Sequence, residues 1–191
     1  MSKVIREVSR VRNTKQQPSE KDGRRNYKLQ APFGKEQIRG QKLHPQYIVG
    51  FIDGEGSFNV SVSKHKTLKR RLEIRAQFEI ELRADDRDIL ERICLTLGCG
   101  RIYDLSYDRY GWYPHIKYKV GSIKDMQTYL IPFFDRYPPQ AKKGEVYKLF
   151  KEVIKMVSRK EHLTNDGFNK ILKLRDQIRS VGKKAKTHGN R

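Results

Sequence analysis

The chain has 191 residues and carries 42 lysine and arginine side chains against 22 acidic ones, for a formal net charge of +20. Its length suits one domain with tails and a buried core. Its charge favours a polyanionic partner, with nucleic acid as the first candidate and an anionic membrane surface as the second. No apolar run approaches the roughly 20 residues of a membrane span, and the N-terminus lacks the apolar core of a signal peptide, so we expect no membrane partner.

The cysteines and histidines argue against two kinds of structural site. Cys94 and Cys99 are too few for a disulfide framework or a structural zinc site. We interpret both as free thiols of a reducing compartment. The five histidines are scattered along the chain without the spacing of metal ligands.

Composition divides the chain into three segments. Residues 1–42 are polar and basic, with many turn formers and no sustained apolar period, which predicts a flexible arm that could track DNA. The arginine content of this arm would also suit an organellar transit peptide, although its acidic residues argue against one. Residues 43–180 are predicted to form the folded domain, and residues 181–191 a basic tail.

The first element in chain order is a helix predicted from about Pro45 to Gly54. Proline suits the first turn of a helix, and Gly50 and Gly54 lie four residues apart, so they share one face and leave it bare. Such a face lets another backbone approach closely. Gly54 and Gly56 are predicted to end the helix with Glu55 between them, a poor place for stability and a good one for a metal ligand. A buried helix with a glycine C-cap is the plainer interpretation.

Two hairpins follow from the alternation of apolar and polar residues. The first pairs a strand over residues 57–64 with one over 72–82, and each strand keeps one polar face. The second pairs residues 101–108 with 113–120 around a turn at Tyr110-Gly111.

Apolar residues at helical spacing predict further helices, at about residues 85–97, 122–134, 142–157 and from Thr164 or Asn165 to about Ser180. Gly98 is predicted to end the first of them and Ser122 to cap the second. The order is therefore helix, two strands, helix, two strands, helix, with one or two more helices. This order indicates a mixed α/β (α+β) domain with antiparallel pairing.

Two segments resemble a known family. The run Ile48-Val49-Gly50-Phe51-Ile52-Asp53-Gly54-Glu55-Gly56, followed by Ser57-Phe58, resembles the signature motif of the LAGLIDADG homing endonucleases. Residues 131–143 are similar to the family's F-D-K-Y-P-L-L-T-K-K segment, although Pro139-Gln140-Ala141 departs from the usual Leu-Leu-Thr. The resemblance spans about residues 43–180. It implies the fold helix-strand-strand-helix-strand-strand-helix, with an extra C-terminal helix and an antiparallel saddle for DNA.

The resemblance also implies a catalytic centre at the end of the first helix. Glu55, at the eighth motif position, would be the metal ligand, with the Gly54 carbonyl as a second donor and Mg²⁺ as the cofactor. Asp53, at the sixth position, suits a structural cross-helix hydrogen bond, with direct catalytic work as the alternative. Lys143, with Lys142, would stabilise developing charge or order the attacking water; a solvated lysine in the first turn of a helix is the plainer interpretation.

Two further features of the centre depend on residues outside this cluster. The family often has a glutamine or similar residue near the end of the second strand, where this chain has Glu81 or Leu82, so this polar partner stays open. One acidic residue per chain is few for phosphodiester hydrolysis, and a symmetric homodimer would bring two copies of Glu55 together. The predicted interface lies within residues 46–54 and includes Ile48, Val49, Gly50, Phe51 and Gly54.

The polar strand faces are the predicted DNA-binding surface, because a two-stranded ribbon fits the major groove and side chains of this kind read base edges. An ordinary solvated sheet face is the plainer interpretation. The candidates are Asn59, Ser61, Lys64, Arg70, Arg75, Gln77, Glu79, Tyr113, His115, Lys117 and Lys119. Stacking on single-stranded bases is an alternative role for Tyr103, Tyr107, Tyr110, Trp112 and Tyr113, for most of which we favour packing in the core or hairpin.

The function implied by the resemblance is site-specific double-strand cleavage of DNA by an intron-encoded, Mg²⁺-dependent homodimer at a long pseudo-palindromic site. We expect it to act in the bacterial cytoplasm, or in a mitochondrion or chloroplast if the gene is organellar. One alternative is an RNA-binding intron maturase on the same fold. Another is a DNA-binding protein that has lost cleavage, against which the retained Glu55 argues.

Overall fold

The helices and strands follow one another in the predicted order. The computed structural model describes residues 42–67, 70–107, 111 and 113–184. Its helices are α1 (Pro45–Glu55), α2 (Arg87–Leu97), α3 (Ile123–Asp125), α4 (Ile131–Arg136), α5 (Lys142–Ser158) and α6 (Asn165–Lys184). Its strands are β1 (Gly56–Lys64), β2 (Leu72–Arg83), β3 (Arg101–Leu105) and β4 (His115–Val120). Within the described ranges, no helix is long and apolar enough to cross a membrane.

The four strands form one antiparallel sheet in the order β1-β2-β4-β3, which confirms both predicted hairpins and the α+β class. Alternation along the strands gives the sheet one apolar and one polar face. Phe58, Phe78 and Tyr118 lie on the apolar face and are buried. Directly paired residues share a face. The register therefore defines the polar sheet face as Ser57, Asn59, Ser61, Ser63, Glu73, Arg75, Gln77, Glu79, Glu81, Arg83, Arg101, Tyr103, His115, Lys117 and Lys119, together with the apolar Leu105 at its edge.

The core lies between the apolar face of the sheet and the helices. Helix α5 contacts β1 and β2, and α2 contacts β4. The ring of Phe58 lies 4.9 Å from that of Phe78, 5.5 Å from that of Phe134 and 5.3 Å from that of Phe150. Aromatic pairs at these distances add to the stability gained by burial, so this cluster fixes α4 and α5 against the start of β1, where the candidate site begins.

Three helix ends follow predicted capping rules. Gly98 ends α2 with φ +72, the left-handed conformation that glycine adopts without strain. The Ser122 hydroxyl accepts from the Asp125 N–H at 3.2 Å. For α6 the predicted choice between two caps falls on Thr164, whose hydroxyl accepts from the Gly167 N–H at 3.1 Å.

The predicted helix over residues 122–134 is interrupted by a π-helical turn over Met126–Leu130 and continues to Arg136. In this turn the Ile131 N–H donates to the Met126 carbonyl, five residues back. Proline cannot donate in an α-helix, and its ring collides with the carbonyl four residues earlier. The wider turn directly before Pro132 relieves that collision, so the chain stays helical where an α-helix would break.

Cys94 and Cys99 are free thiols, as predicted. Burial raises the pKa of each to about 11, so neither is a reactive thiolate at neutral pH. The Tyr118 hydroxyl donates to the Cys99 carbonyl at 2.7 Å, which satisfies both buried groups.

Some element boundaries differ from the predicted ones. Strand β3 ends at Leu105 rather than 108, and β4 begins at His115 rather than 113. Helix α6 continues to Lys184, four residues beyond the predicted domain boundary at 180. The predicted arm, apart from Lys42, and residues 185–191 of the predicted tail lie outside the described residues.

Candidate functional site

Helix α1 passes directly into β1, and the predicted metal ligands lie at this junction. Glu55 is the last helical residue and Gly56 the first residue of the strand. Gly56 is required there because a Cβ would lie 2.6 Å from Ile52 Cγ2 and 2.9 Å from the Ile52 carbonyl oxygen. The tight junction leaves Gly54 and Glu55 exposed to solvent. A carboxylate and a carbonyl oxygen of the last helical turn are thereby presented together, and both are donors that hard cations prefer.

The Lys143 side chain reaches this junction from the first turn of α5. Its ammonium donates to the Gly54 carbonyl oxygen at 2.6 Å. Burial lowers the pKa of Lys143, while the nearby negative charges of Glu55 and Asp53 oppose that shift. The predicted neighbour Lys142 is exposed, and the contact with Gly54 is made by Lys143.

The Asp53 carboxylate fixes the loop that leads into α5. It accepts from the Gln140 N–H at 2.8 Å and from the Ala141 N–H at 3.3 Å. These two residues belong to the segment that departs from the family's usual Leu-Leu-Thr, and their backbone N–H groups provide the contact whatever their side chains. Asp53 therefore holds the loop before α5 against α1 within one chain, a contact that the predicted cross-helix bond did not anticipate.

The junction binds the Lys143 ammonium, but its described residues do not form a complete metal site. Among the described residues, no cluster of three or more His, Cys, Asp or Glu side chains could hold a metal ion. The Lys143 ammonium on the Gly54 carbonyl shows that this oxygen is directed at a positive charge. Glu55 and the Gly54 carbonyl are thus oxygen donors of the kind that a hard cation prefers, but two donors alone are fewer than such a cation takes.

One face of α1 is open to solvent. A Cβ built at Gly50 or Gly54 would meet nothing within 4 Å, so the packing of this chain alone does not require glycine there. Tyr47, on the same face, is 52% exposed, and its ring lies 6.3 Å from that of the half-buried Phe51. We call Tyr47, Gly50, Phe51 and Gly54 the open α1 strip.

Two residues of the predicted dimer interface lie elsewhere. Ile48 is completely buried in the core of its own chain, and Val49 is 6% exposed. Both were predicted to belong to the dimer interface and to fill around the glycine gap, but their burial within the chain leaves little of their surface for another copy. Gly50, Phe51 and Gly54 keep their predicted position.

The polar sheet face carries a network of ion pairs across its two central strands. Glu79 pairs with Lys119 at 3.4 Å and with Lys117 at 3.6 Å, and Glu81 pairs with Lys117 at 2.9 Å. The Gln77 amide fits this network when its oxygen accepts from Lys119 Nζ at 2.8 Å and its nitrogen donates to Glu79 at 3.2 Å. The acidic side chains of β2 lie opposite the lysines of β4, so charges of opposite sign meet across these two strands.

Comparison with known proteins decides between the interpretations of the motif. The sequence profile of the LAGLIDADG endonucleases matches residues 48–154, more than half of the chain. This chain belongs to the LAGLIDADG endonuclease family. It is 31% identical over 134 residues to "Probable intron-encoded endonuclease 3" of Neurospora crassa, a match that covers 70% of this chain and 24% of that protein.

Two solved structures of LAGLIDADG proteins share the fold. I-SmaMI, bound to an uncleaved DNA target in the presence of calcium ions, has 34% identity and a TM-score of 0.66 over 72% of this chain and 45% of its own. The homing endonuclease I-TnaI has 26% identity and a TM-score of 0.63 over 75% of this chain and 98% of its own. The present chain thus spans about a quarter of the curated intron-encoded relatives it matches and about half of I-SmaMI.

In this LAGLIDADG chain, the predicted DNA-binding residues divide into two groups. All but three lie on the polar sheet face; Lys64 is exposed at the end of β1, and Tyr113 is 70% exposed just before β4 and stacks under Arg83 at 4.6 Å. Arg70 does not belong to this surface. Its guanidinium donates to the Leu163 carbonyl at 3.2 Å and to Asn165 at 2.7 Å and lies 4.5 Å above the Phe168 ring. It therefore holds the β1–β2 turn against α6, and its predicted role is corrected.

The predicted DNA-binding set left out residues of the polar sheet face on β3 and at the end of β2, and Tyr103 was considered only for packing or for stacking on single-stranded bases. Arg101 pairs in register with Lys119, and Tyr103 with Lys117, so both extend the polar sheet face to the edge strand. Arg83 lies on the same face, opposite His115. Alternation within Arg101–Leu105 is the signal that could have identified the first two, but five residues give a weak pattern.

Glu81 and Leu82, between which the sequence leaves the polar partner open, lie on opposite faces of β2. Leu82 packs against the core, whereas Glu81 lies on the polar sheet face and accepts from the Tyr107 hydroxyl at 2.6 Å. Burial would raise the pKa of Glu81, but hydrogen bonds from Tyr107 and Lys117 outweigh it, so the pKa is lowered and Glu81 is ionised at neutral pH. Gly56 of β1 pairs with Ile80 of the antiparallel strand β2. The residue after Ile80 therefore lies beside the residue before Gly56, which places Glu81 on the same side of this pair as Glu55.

Proposed function

We propose that this chain is a homing endonuclease that makes a site-specific double-strand break in DNA by Mg²⁺-dependent phosphodiester hydrolysis. One observation carries the proposal: Glu55, the Gly54 carbonyl oxygen and the Lys143 ammonium converge where α1 enters β1, at the edge of a polar sheet face. The relative I-SmaMI binds an uncleaved DNA target in the presence of calcium ions. Family membership and this local geometry support the same chemistry here.

The proposed roles follow from the chemistry of each group. Glu55 and the Gly54 carbonyl would hold Mg²⁺, because carboxylate and carbonyl oxygens are its preferred protein ligands. When bound, the cation supplies charge neutralisation at the phosphate and activation of the attacking water. The Lys143 ammonium would move from the carbonyl to the phosphate oxygens, where negative charge develops. Asp53 positions Lys143 by holding the loop before α5, and Lys142 supplies positive charge nearby without a fixed contact.

A second copy of the chain is the proposed partner. Among the described residues of one chain, no three His, Cys, Asp or Glu side chains gather into a metal site, whereas cleavage of two strands needs two centres. The open α1 strip offers the close approach that a two-fold axis would need, since neither glycine is required by packing within the chain. A homodimer would read a pseudo-palindromic site, each polar sheet face contacting one half.

We propose an intron-encoded origin and an organellar compartment. The relatives from Neurospora crassa are named as intron-encoded endonucleases, and a relative from Podospora anserina is named for an intron of ND4. A mitochondrion is favoured by these fungal sources, and a chloroplast or the bacterial cytoplasm is the alternative.

The decisive experiment is digestion of a library of randomised DNA duplexes with the purified chain and Mg²⁺, followed by sequencing of the cut ends. We expect a long pseudo-palindromic consensus, and loss of the product when Mg²⁺ is withheld. The Glu55→Gln protein is the control for contaminating nucleases. Binding of intron RNA without any cut duplex would favour the maturase alternative, and binding of one duplex sequence without cleavage would favour a DNA-binding protein.

A further inference from the structure

Glu79 occupies the centre of the polar sheet face. It lies on β2, a central strand, and its register partner on β4 is Lys119. Its two carboxylate oxygens pair with Lys119 and Lys117, at 3.4 Å and 3.6 Å, and Gln77 donates to it as well. Only 20% of the Glu79 side chain is exposed, against 25% for Lys117 and 30% for Lys119. The Glu79 carboxylate is thus enclosed by the two lysines with which it forms ion pairs.

This enclosure makes the network more than a set of surface ion pairs. Isolated exposed pairs contribute little because water screens them. Here three charged side chains and an amide share a partly desolvated position, and Glu81 extends the network by pairing with Lys117. In such a network each partner limits the conformations of the others.

A carboxylate in this position acts against the contacts that give unspecific affinity. Lysines bind phosphates regardless of sequence, and this contact supplies most of the non-specific binding of proteins to DNA. While Lys117 and Lys119 pair with Glu79, their ammonium groups are held over the sheet, and the carboxylate repels a phosphate that approaches them. A base edge that offers an amino group, as cytosine N4 does, can instead donate to the same carboxylate.

We propose that Glu79 is a specificity-determining residue that lowers the affinity of the polar sheet face for arbitrary duplexes by restraining Lys117 and Lys119. This proposal rests on the proposed function, in which that face binds double-stranded DNA. The proposal has one distinctive consequence. Neutralising Glu79 should add phosphate contacts by releasing the two lysines, whereas the same charge change elsewhere on the chain should add none.

The test is the salt dependence of binding to a random-sequence duplex, measured by fluorescence anisotropy with the parent chain and Glu79→Gln. The slope of log affinity against log salt changes by about 0.9 for each phosphate contact. We expect Glu79→Gln to steepen the slope by about 1 to 2, because two lysines are released, and to bind more tightly at low salt. Glu152→Gln is the matched control: it makes the same charge change on α5, in the helical layer, and should leave the slope unchanged.

A double-mutant cycle tests the restraint itself. Lys119→Met should change the slope little in the parent and by about 0.9 in the Glu79→Gln background. Thermal unfolding of each variant confirms that it is folded. Equal slopes for Glu79→Gln and Glu152→Gln would overturn the proposal while leaving duplex binding intact. If the parent itself shows no salt-dependent duplex binding, the proposed function fails and this inference fails with it.

Discussion

The α1–β1 junction and the polar sheet face share one edge of the domain but are built in opposite ways. At the junction only a few groups come together: the Glu55 carboxylate at the end of α1, and the Gly54 carbonyl that accepts from the Lys143 ammonium. On the sheet face many side chains contact one another, and the acidic side chains of β2 pair with the lysines of β4. The difference teaches that the junction has no redundancy, whereas the sheet face distributes its charge. Single substitutions should therefore act in an all-or-none way at the junction and by degrees on the sheet.

The largest effect is expected for Glu55→Gln. The amide keeps the shape and removes the charge that a hard cation requires, so cleavage should be abolished while duplex binding persists. Gel analysis of product in Mg²⁺ and anisotropy of binding measure the two separately. Cutting at the parent rate would show that Glu55 is not the metal ligand. The remaining role of the motif would then be dimer formation through the open α1 strip.

Gly50→Leu should separate the two copies of the proposed dimer. A Cβ at Gly50 meets nothing within its own chain, so the leucine should not prevent folding but should block the close approach of another helix. Sedimentation velocity should show monomers, and double-strand cleavage should fall with the dimer.

Gly182→Leu is the matched control for that substitution. This glycine also lies in a helix with nothing within 4 Å of a built Cβ, but on α6 rather than α1. The Gly182→Leu protein should form the same dimer as the parent chain. An intact dimer in the Gly50→Leu protein would count heavily against the open α1 strip as the interface.

Lys143→Ala tests the junction within one pair of neighbouring lysines. It should slow cleavage by roughly 10²–10³-fold, the range for loss of one donor to developing charge, with little effect on binding. Lys142→Ala makes the same charge change one residue earlier and should be much milder, because the contact with Gly54 belongs to Lys143. Equal losses in single-turnover rates would show that general charge, not this contact, matters.

The smallest effect is expected on the sheet face, for Arg101→Ala. Its loss should reduce the salt slope of duplex binding by about 0.9, as for one phosphate contact, while most of the affinity remains. Lys170→Ala, an exposed residue of α6, is the control for net charge. A flat salt titration of the parent chain would contradict the whole nucleic-acid interpretation.

The sequence was sufficient for local patterns and insufficient for contacts between distant segments. Alternation predicted both hairpins and the polar sheet face, and capping residues predicted the ends at Gly98 and Ser122. The π-helical turn was not predicted, because Pro132 indicates only that an α-helix is disturbed there. The sequence grouped Ile48 with Gly50 in one interface, since an apolar helix with two glycines does not show which side meets the core; in the structure Ile48 is completely buried.

Long-range side-chain contacts explain the remaining differences. Arg70 resembles any basic residue of a DNA-facing turn, and only the position of Phe168 and Asn165 on α6, far along the chain, shows its structural role. The junction residues were identified through a family motif, whereas their arrangement depends on Asp53 reaching the loop at Gln140 and Ala141. No local period carries that information.

The two hydrogen bonds of Asp53 have a mechanical consequence. They join the last turn of α1 to the segment that starts α5, while Lys143 joins α5 back to the Gly54 carbonyl. The end of α1 and the start of α5 are thus joined by hydrogen bonds at two points. We therefore expect a tilt of α1 to move Lys143 as well. Another helix packed at Gly50, or a bent duplex, could cause such a tilt, and the groups at the junction would then move together.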